Sequence, residues 1–202
     1  MWWLIIPAAV VVFLAVVLVR AACFKPGTPE RREETPAAID EAHAVESLRQ
    51  MVRCKTVSSR NEAEEDPAEF ERFRALLCER YPAVHAACAL DRVGKSGLLY
   101  HLKGKSAEAP CVFMAHYDVV PADEAAWQKP PFEGVIEEGV LWGRGTLDTK
   151  GTLNGVMEAA EALLKEGFVP ANDWYFAFAG DEEIAGPTAP AQGLVLVEVE
   201  YE

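Results

Sequence analysis

Residues 2 to 19, WWLIIPAAVVVFLAVVLV, carry no charge. Folded as a helix, this run spans about 27 Å at ~1.5 Å per residue, close to the ~30 Å hydrocarbon core of a bilayer. Trp2 and Trp3 stand at one end, where indole rings favour the membrane interface. Pro7 is tolerable in the first turns of a membrane helix. The competing pattern is a cleaved signal peptide. No basic stretch precedes the run, the run is long, and Val19-Arg20-Ala21-Ala22-Cys23 is a poor cleavage sequence, so an uncleaved anchor is favoured over residues 1–24. Residues 25–36 read as a linker, with Pro26-Gly27, Pro29, a charged run from Glu30 to Glu34, and Pro36. Arg20, Lys25, Arg31 and Arg32 all follow the apolar run. By the positive-inside rule they favour the cytoplasmic side for the rest of the chain, with the outer or lumenal side as the alternative.

From residue 37 onward, helical and strand patterns alternate. Thr35-Pro36 predicts a helix start, with Ile39, Ala42, Val45, Leu48 and Val52 on one face. Asp66-Pro67-Ala68-Glu69 resembles a capping box with proline in the first turn, leading into Phe70, Phe73 and Leu77. Residues 97–103 and 110–115 read as strands. The second, Pro110 to Ala115, is nearly all apolar, as a strand covered on both faces would be. Residues 152–166 give the clearest helix, with Leu153, Val156, Met157, Ala160, Leu163 and Leu164 at helical spacing and Gly167 as its stop. Trp174 to Ala179 reads as another buried strand. Strands separated by helices predict an α/β layered fold with a mixed sheet flanked by helices.

Composition narrows the partners. The chain has 202 residues with 32 acidic against 19 basic side chains, a formal charge of −13. Nucleic acid is excluded as a partner, because its binding needs cationic surface to displace counterions. Five cysteines, at positions 23, 54, 78, 88 and 111, form no C-x-x-C pair, which argues against a disulfide scaffold or a cysteine zinc site.

The candidate chemistry sits at strand ends, where ligands of open α/β sheets bind. His116-Tyr117-Asp118 follows one strand, Gly143-Arg144-Gly145-Thr146-Leu147-Asp148 precedes the best helix, and Asp181-Glu182-Glu183 follows another strand. Each alone is an ordinary turn or solvated surface. Together they offer imidazole and hard oxygen donors of the kind that hold zinc or a similar divalent ion. Asp118 can fix the tautomer of His116. Asp148 can offer one oxygen to each of two metals. Of Glu182 and Glu183, one can bind metal while the other handles a proton. There is no G-x-S-x-G and no H-E-x-x-H, which excludes those serine and zinc chemistries.

These residues, with Val119-Val120-Pro121, Trp127, Pro130-Pro131-Phe132 and Thr149-Lys150-Gly151, resemble the co-catalytic zinc peptidases of the aminoacylase and carboxypeptidase group (clan MH). The wording AHYDVVP, PPF and GRGTLD is most similar to carboxypeptidase S and the secreted N-fatty-acyl-amino-acid synthase/hydrolase. The resemblance covers roughly residues 37 to 190. It implies two divalent metals, zinc first with cobalt or manganese as alternatives. It implies His116, Asp148 and Glu183 as metal ligands, with Asp148 bridging, Asp118 orienting His116, and Glu182 as general base and acid. The implied reaction is hydrolysis of an amide beside a free amino-acid carboxylate, in N-acyl amino acids or small peptides.

The resemblance also sets expectations that the sequence does not meet. Full members supply two more ligands and insert a lid or dimerisation domain, so a homodimer is expected only of a full-length form. Only 19 residues follow Glu183, and His43, His85 and His101 all precede the first motif. Residues 37–202 therefore read as an incomplete, amino-terminal part of a catalytic domain from a truncated, split or frame-shifted chain. Glu198 and Glu200, in the alternating stretch 194–202, stand early in the chain for substitute ligands. The competing expectation is a non-catalytic remnant that binds metal weakly.

Overall fold

The computed structural model describes residues 5–24 and 38–184. The linker 25–36, the helix start expected at Thr35-Pro36, Trp2 and Trp3, and the alternating stretch 194–202 lie wholly or largely outside them. The chain divides into two units, residues 1–36 and 37–202.

In the first unit, α1 runs from Ile5 to Cys23, with Pro7 in its first turn and every described side chain exposed. The helix is long and apolar enough to cross a membrane.

The second unit opens with α2, Glu41–Arg53. Its start is set by Asp40, whose carboxylate accepts a bond from His43 N at 3.0 Å. Residues 38–40 are not helical, and the described helix begins at Glu41 behind this cap. The buried face differs in part. Ser47, Met51 and Val52 point inward, while Val45 is 46% exposed. Apolar spacing placed Val52 on the buried face but left out Ser47, which is buried through polar bonds, donating to His43 O and accepting from Arg80 Nε.

The next helix, α3 (Pro67–Arg80), starts as its sequence predicts. Asp66 caps Ala68 N, Pro67 takes the first turn, and Phe70, Phe73, Leu76 and Leu77 are buried. A short α4 (Pro82–Ala87) follows, its first amides bound by the buried Glu161 carboxylate at 3.1 and 3.0 Å. The strands β1 (Ala89–Val93), β2 (Gly97–Leu102) and β3 (Ser106–His116) come next, then a hairpin of β4 (Val135–Glu137) and β5 (Val140–Trp142). A tight turn, Thr146–Lys150, leads into α5 (Gly151–Lys165). At the end of α5, Gly167 takes φ +76°, and Gly167 N and Phe168 N bond back to Leu164 O and Leu163 O, as a left-handed glycine stop requires. The last described strand is β6 (Asn172–Ala179).

The main sheet has the order β1-β2-β6-β3. The first two pairings are antiparallel and β3 runs parallel to β6, so the sheet is mixed as expected. One face is packed: Leu98, Tyr100, Leu102, Phe176 and Phe178 meet Met51, Phe73, Leu77, Leu153 and Met157 from the helices. The other face differs from expectation. Val112 and Met114 of β3 are 53% and 67% exposed, so among the described residues this strand is covered on one side only. Apolar composition states what a strand can bury. It does not state which layers supply the cover, and the helices of this unit share a single core cluster on one face.

Candidate metal centre

The parallel pairing of β3 with β6 sets His116 opposite Ala179. The histidine and the Asp181-Glu182-Glu183 turn therefore emerge side by side at the carboxyl ends of neighbouring strands, the position where open α/β sheets place ligands. The third contribution, Asp148, comes from the turn ahead of α5. That turn packs tightly: Gly145 takes φ +82°, and a Cβ there would lie 2.6 Å from Val119 Cγ1. The Asp148-Thr149 peptide is cis. Thr149 ties the turn to the end of β3, its hydroxyl accepting from His116 N and donating to His116 O, both at 2.9 Å.

His116, Asp148 and Glu183 each offer a ligand atom within 4.8 Å of the others. His116 Nε2 lies 3.1 Å from Asp148 Oδ1 and 3.6 Å from Glu182 Oε2. Its other ring nitrogen, Nδ1, lies 3.1 Å from Asp118 O and 3.3 Å from Asp118 Oδ1. Both groups facing Nδ1 are acceptors, so Nδ1 carries a proton and Nε2 is the nitrogen turned toward the carboxylates. The donor set of one directed imidazole and converging carboxylates fits a hard-to-borderline divalent cation.

The electrostatics agree with that fit. Burial alone lowers the His116 pKa, but the Asp118 charge, the bonds to Asp148 and Asp118 O, and the Glu182 charge outweigh it and raise the net value. Burial raises the Glu183 carboxyl above its usual range, and Asp148, Asp118 and Glu182 push the same way against the pull of His116. Both shifts favour the protonated form, the direction expected where several carboxylates crowd one space.

All five residues singled out in the sequence thus meet in one place. Asp118 is fully buried and reaches beyond His116, its Oδ2 accepting from Ser58 Oγ at 2.7 Å and from Glu183 N at 3.0 Å. Asp148 and Glu182 are open, with side chains 76% and 56% exposed. Sequence reasoning assigned no role to Ser58, Thr149 or Lys150. Lys150 is fully buried and donates to Met51 O at 3.0 Å and Cys54 O at 2.8 Å, pinning the turn to the end of α2. The PPF motif braces the same turn, Pro131 O accepting from Arg144 N at 2.7 Å, while the Arg144 guanidinium lies over the Trp127 ring at 5.1 Å.

A mixed α/β sheet whose parallel strands end in a buried imidazole and a group of carboxylates suits the binding of a divalent cation. The comparisons with known proteins agree. The sequence profile of peptidase family M20/M25/M40 matches residues 112–200. A probable carboxypeptidase S-like protein of Dictyostelium discoideum is 38% identical over 138 residues, 65% of this chain and 26% of that protein. The N-fatty-acyl-amino acid synthase/hydrolase of Xenopus tropicalis is 34% identical over 145 residues, 70% of this chain and 28% of that protein. The fold is also that of a crystallised M20-family metallo-carboxypeptidase from Sulfolobus solfataricus, with a TM-score of 0.57 at 21% identity over 70% of this chain and 31% of that one. The chain is thus similar to M20-family proteins, a family of hydrolases. It spans 26% and 28% of the length of these two curated relatives.

Proposed function

We propose that this polypeptide is the amino-terminal part of a metal-dependent hydrolase of amide bonds beside a free amino-acid carboxylate, acting on N-acyl amino acids or small peptides. The convergence of His116, Asp148 and Glu183 within 4.8 Å carries the reading. The names of its relatives, a carboxypeptidase and an N-acyl amino acid hydrolase, support the substrate class.

In this reading His116 and Glu183 each hold one of two divalent ions, zinc first with cobalt or manganese as alternatives, and Asp148 is shared. When bound, such ions supply Lewis-acid polarisation and lower the pKa of water. Asp118 keeps the His116 proton on Nδ1, leaving Nε2 free for the ion. Glu182 faces the same space without being needed as a ligand. It takes the proton of the attacking water and returns it to the leaving amine. Residues 1–24, with α1 from Ile5 to Cys23, serve as a single-pass membrane anchor. Residues 25–36 form the linker and 37–202 the catalytic part, on the cytoplasmic side by the basic residues that follow the apolar run. A homodimer belongs to a full-length form.

A second reading has its own observation. Among the described residues the cluster offers three donors, one of them shared, whereas a catalytic zinc normally has three protein ligands of its own. On that count the 202-residue chain alone is a weak metal binder without turnover, and catalysis belongs to a longer polypeptide.

Glu182→Gln separates the roles in a polypeptide extended to the length of its relatives. Turnover of an acylated hydrophobic amino acid should fall ~10²–10⁴-fold with bound metal nearly unchanged. Retained turnover removes Glu182 from the mechanism, and lost metal exchanges the roles of Glu182 and Glu183.

A further inference from the structure

We infer that Ser58, remote in sequence from every motif of the site, is a positioning residue that sets the metal centre through the Asp118 carboxylate. The inference rests on the metal-site reading above and assigns a residue that reading does not include.

Asp118 is fully buried, and among the described residues no lysine or arginine pairs with its carboxylate. Its two oxygens have separate tasks. Oδ2 accepts from Ser58 Oγ at 2.7 Å and from Glu183 N at 3.0 Å, while Oδ1 has no such donor and lies 3.3 Å from His116 Nδ1. A carboxylate rotates about one bond, so anchoring Oδ2 on one side fixes where Oδ1 points on the other. Of the two anchors, Glu183 N belongs to the turn that carries a candidate ligand. It supplies no reference independent of the site.

Ser58 supplies that reference because its own segment is fixed from several sides. Val57 forms a parallel bridge with Val119, Ser58 N donates to Val119 O at 3.2 Å, and Val119 N donates to Thr56 O at 2.9 Å. The Thr56 hydroxyl donates to Tyr117 O. Just upstream, Met51 O and Cys54 O receive the Lys150 ammonium. The stretch 51–58 therefore grips both the loop after β3 and the turn that carries Asp148. Ser58 is itself only 3% exposed, so solvent does not replace its hydroxyl when it is removed. Without it, the carboxylate keeps one donor and is free to turn, and the His116 ring and the Glu183 backbone lose their common reference.

Cobalt(II) titration of the full 202-residue chain in detergent micelles, followed by visible absorption, tests the inference. Ser58→Ala should weaken Co²⁺ binding about tenfold and alter the absorption bands, at the lower end of the ~10–100-fold effect of groups that orient a metal ligand. Ser58→Thr keeps the hydroxyl and should restore affinity. Ser58→Cys fills the same space with a weak donor and should reproduce the loss if the alanine variant folds poorly. In an Asp118→Asn background the serine substitution should have no further effect, because its action passes through the carboxylate. Unchanged Co²⁺ affinity with only a lower melting temperature would reduce Ser58 to packing and overturn the inference alone. A wild-type chain that takes up no Co²⁺ would overturn the metal-site reading and this inference with it.

Discussion

Lys150 shows how a single side chain can be fixed by its surroundings. Its ammonium is buried, lies 5.5 Å from the centre of the Phe73 ring, and bonds two carbonyls near the end of α2. Burial pushes its pKa down to about 8. Lys150→Met keeps the stem and removes both donors, leaving two buried carbonyls unmet. The expected loss is about 3 kcal/mol, a fall of roughly 6–12 °C in melting temperature for a domain of this size. Thermal unfolding followed by circular dichroism checks it. A drop under 2 °C would mean that water or a shifted backbone replaces the ammonium. His116, Asp118, Asp148, Glu182 and Glu183 were legible because imidazole and paired carboxylates at strand ends are uncommon enough to stand out together. Ser58 and Thr149 were not, since a hydroxyl in a polar stretch reads the same whether it faces solvent or is held inside, Ser58 on a buried carboxylate and Thr149 on the backbone of His116. Only the long-range pairing of 56–58 with 117–119 distinguishes the two.

Elements with local signals formed as the sequence predicts, and elements fixed by distant partners did not. Asp66-Pro67 and Gly167 carry their own capping chemistry, and α3 and α5 begin and end there. The inward face of α2 depends on Ser47, Arg80 and a His43–Glu158 pair that reaches across to α5. Short α4 is the extreme case. Its first amides are bound by Glu161, and its own His85 is wedged between Tyr100 OH at 3.2 Å from Nε2 and Cys78 Sγ at 3.5 Å from Nδ1. Burial lowers the His85 pKa, against the opposing pull of Glu161. A histidine held neutral in the fold binds its proton more readily once unfolded. Its contribution is therefore complete above the ordinary value near 6.5 and is lost as the pH falls through the folded value. His85→Gln keeps a polar side chain and cannot titrate, so its melting temperature should fall less than wild type between pH 7.5 and pH 5. Parallel melting curves for the two proteins would show that His85 carries none of the acid sensitivity.

For the whole molecule, layer architecture was readable and layer completeness was not. Alternating helices and strands gave the mixed α/β fold, yet Val112 and Met114 remain exposed on the face of β3 away from the helices. The same contrast governs activity. The centre is well ordered internally, with Asp118, Thr149, Lys150 and Ser58 all directed at its support. But among the described residues, one imidazole and two carboxylates cannot give two ions three protein ligands each. On the weak-binder reading, occupancy is low, and without an ion the proposed base Glu182 has no acidified water to deprotonate. The 202-residue chain, purified with added zinc, is therefore expected to bind metal through His116 yet show no zinc-dependent hydrolysis of N-acyl amino acids or dipeptides. His116→Ala should abolish the binding. Zinc-dependent turnover that disappears in His116→Ala would mean that further groups complete the site, from residues beyond Ile184 or from a second copy of the chain, and that the weak-binder reading is wrong.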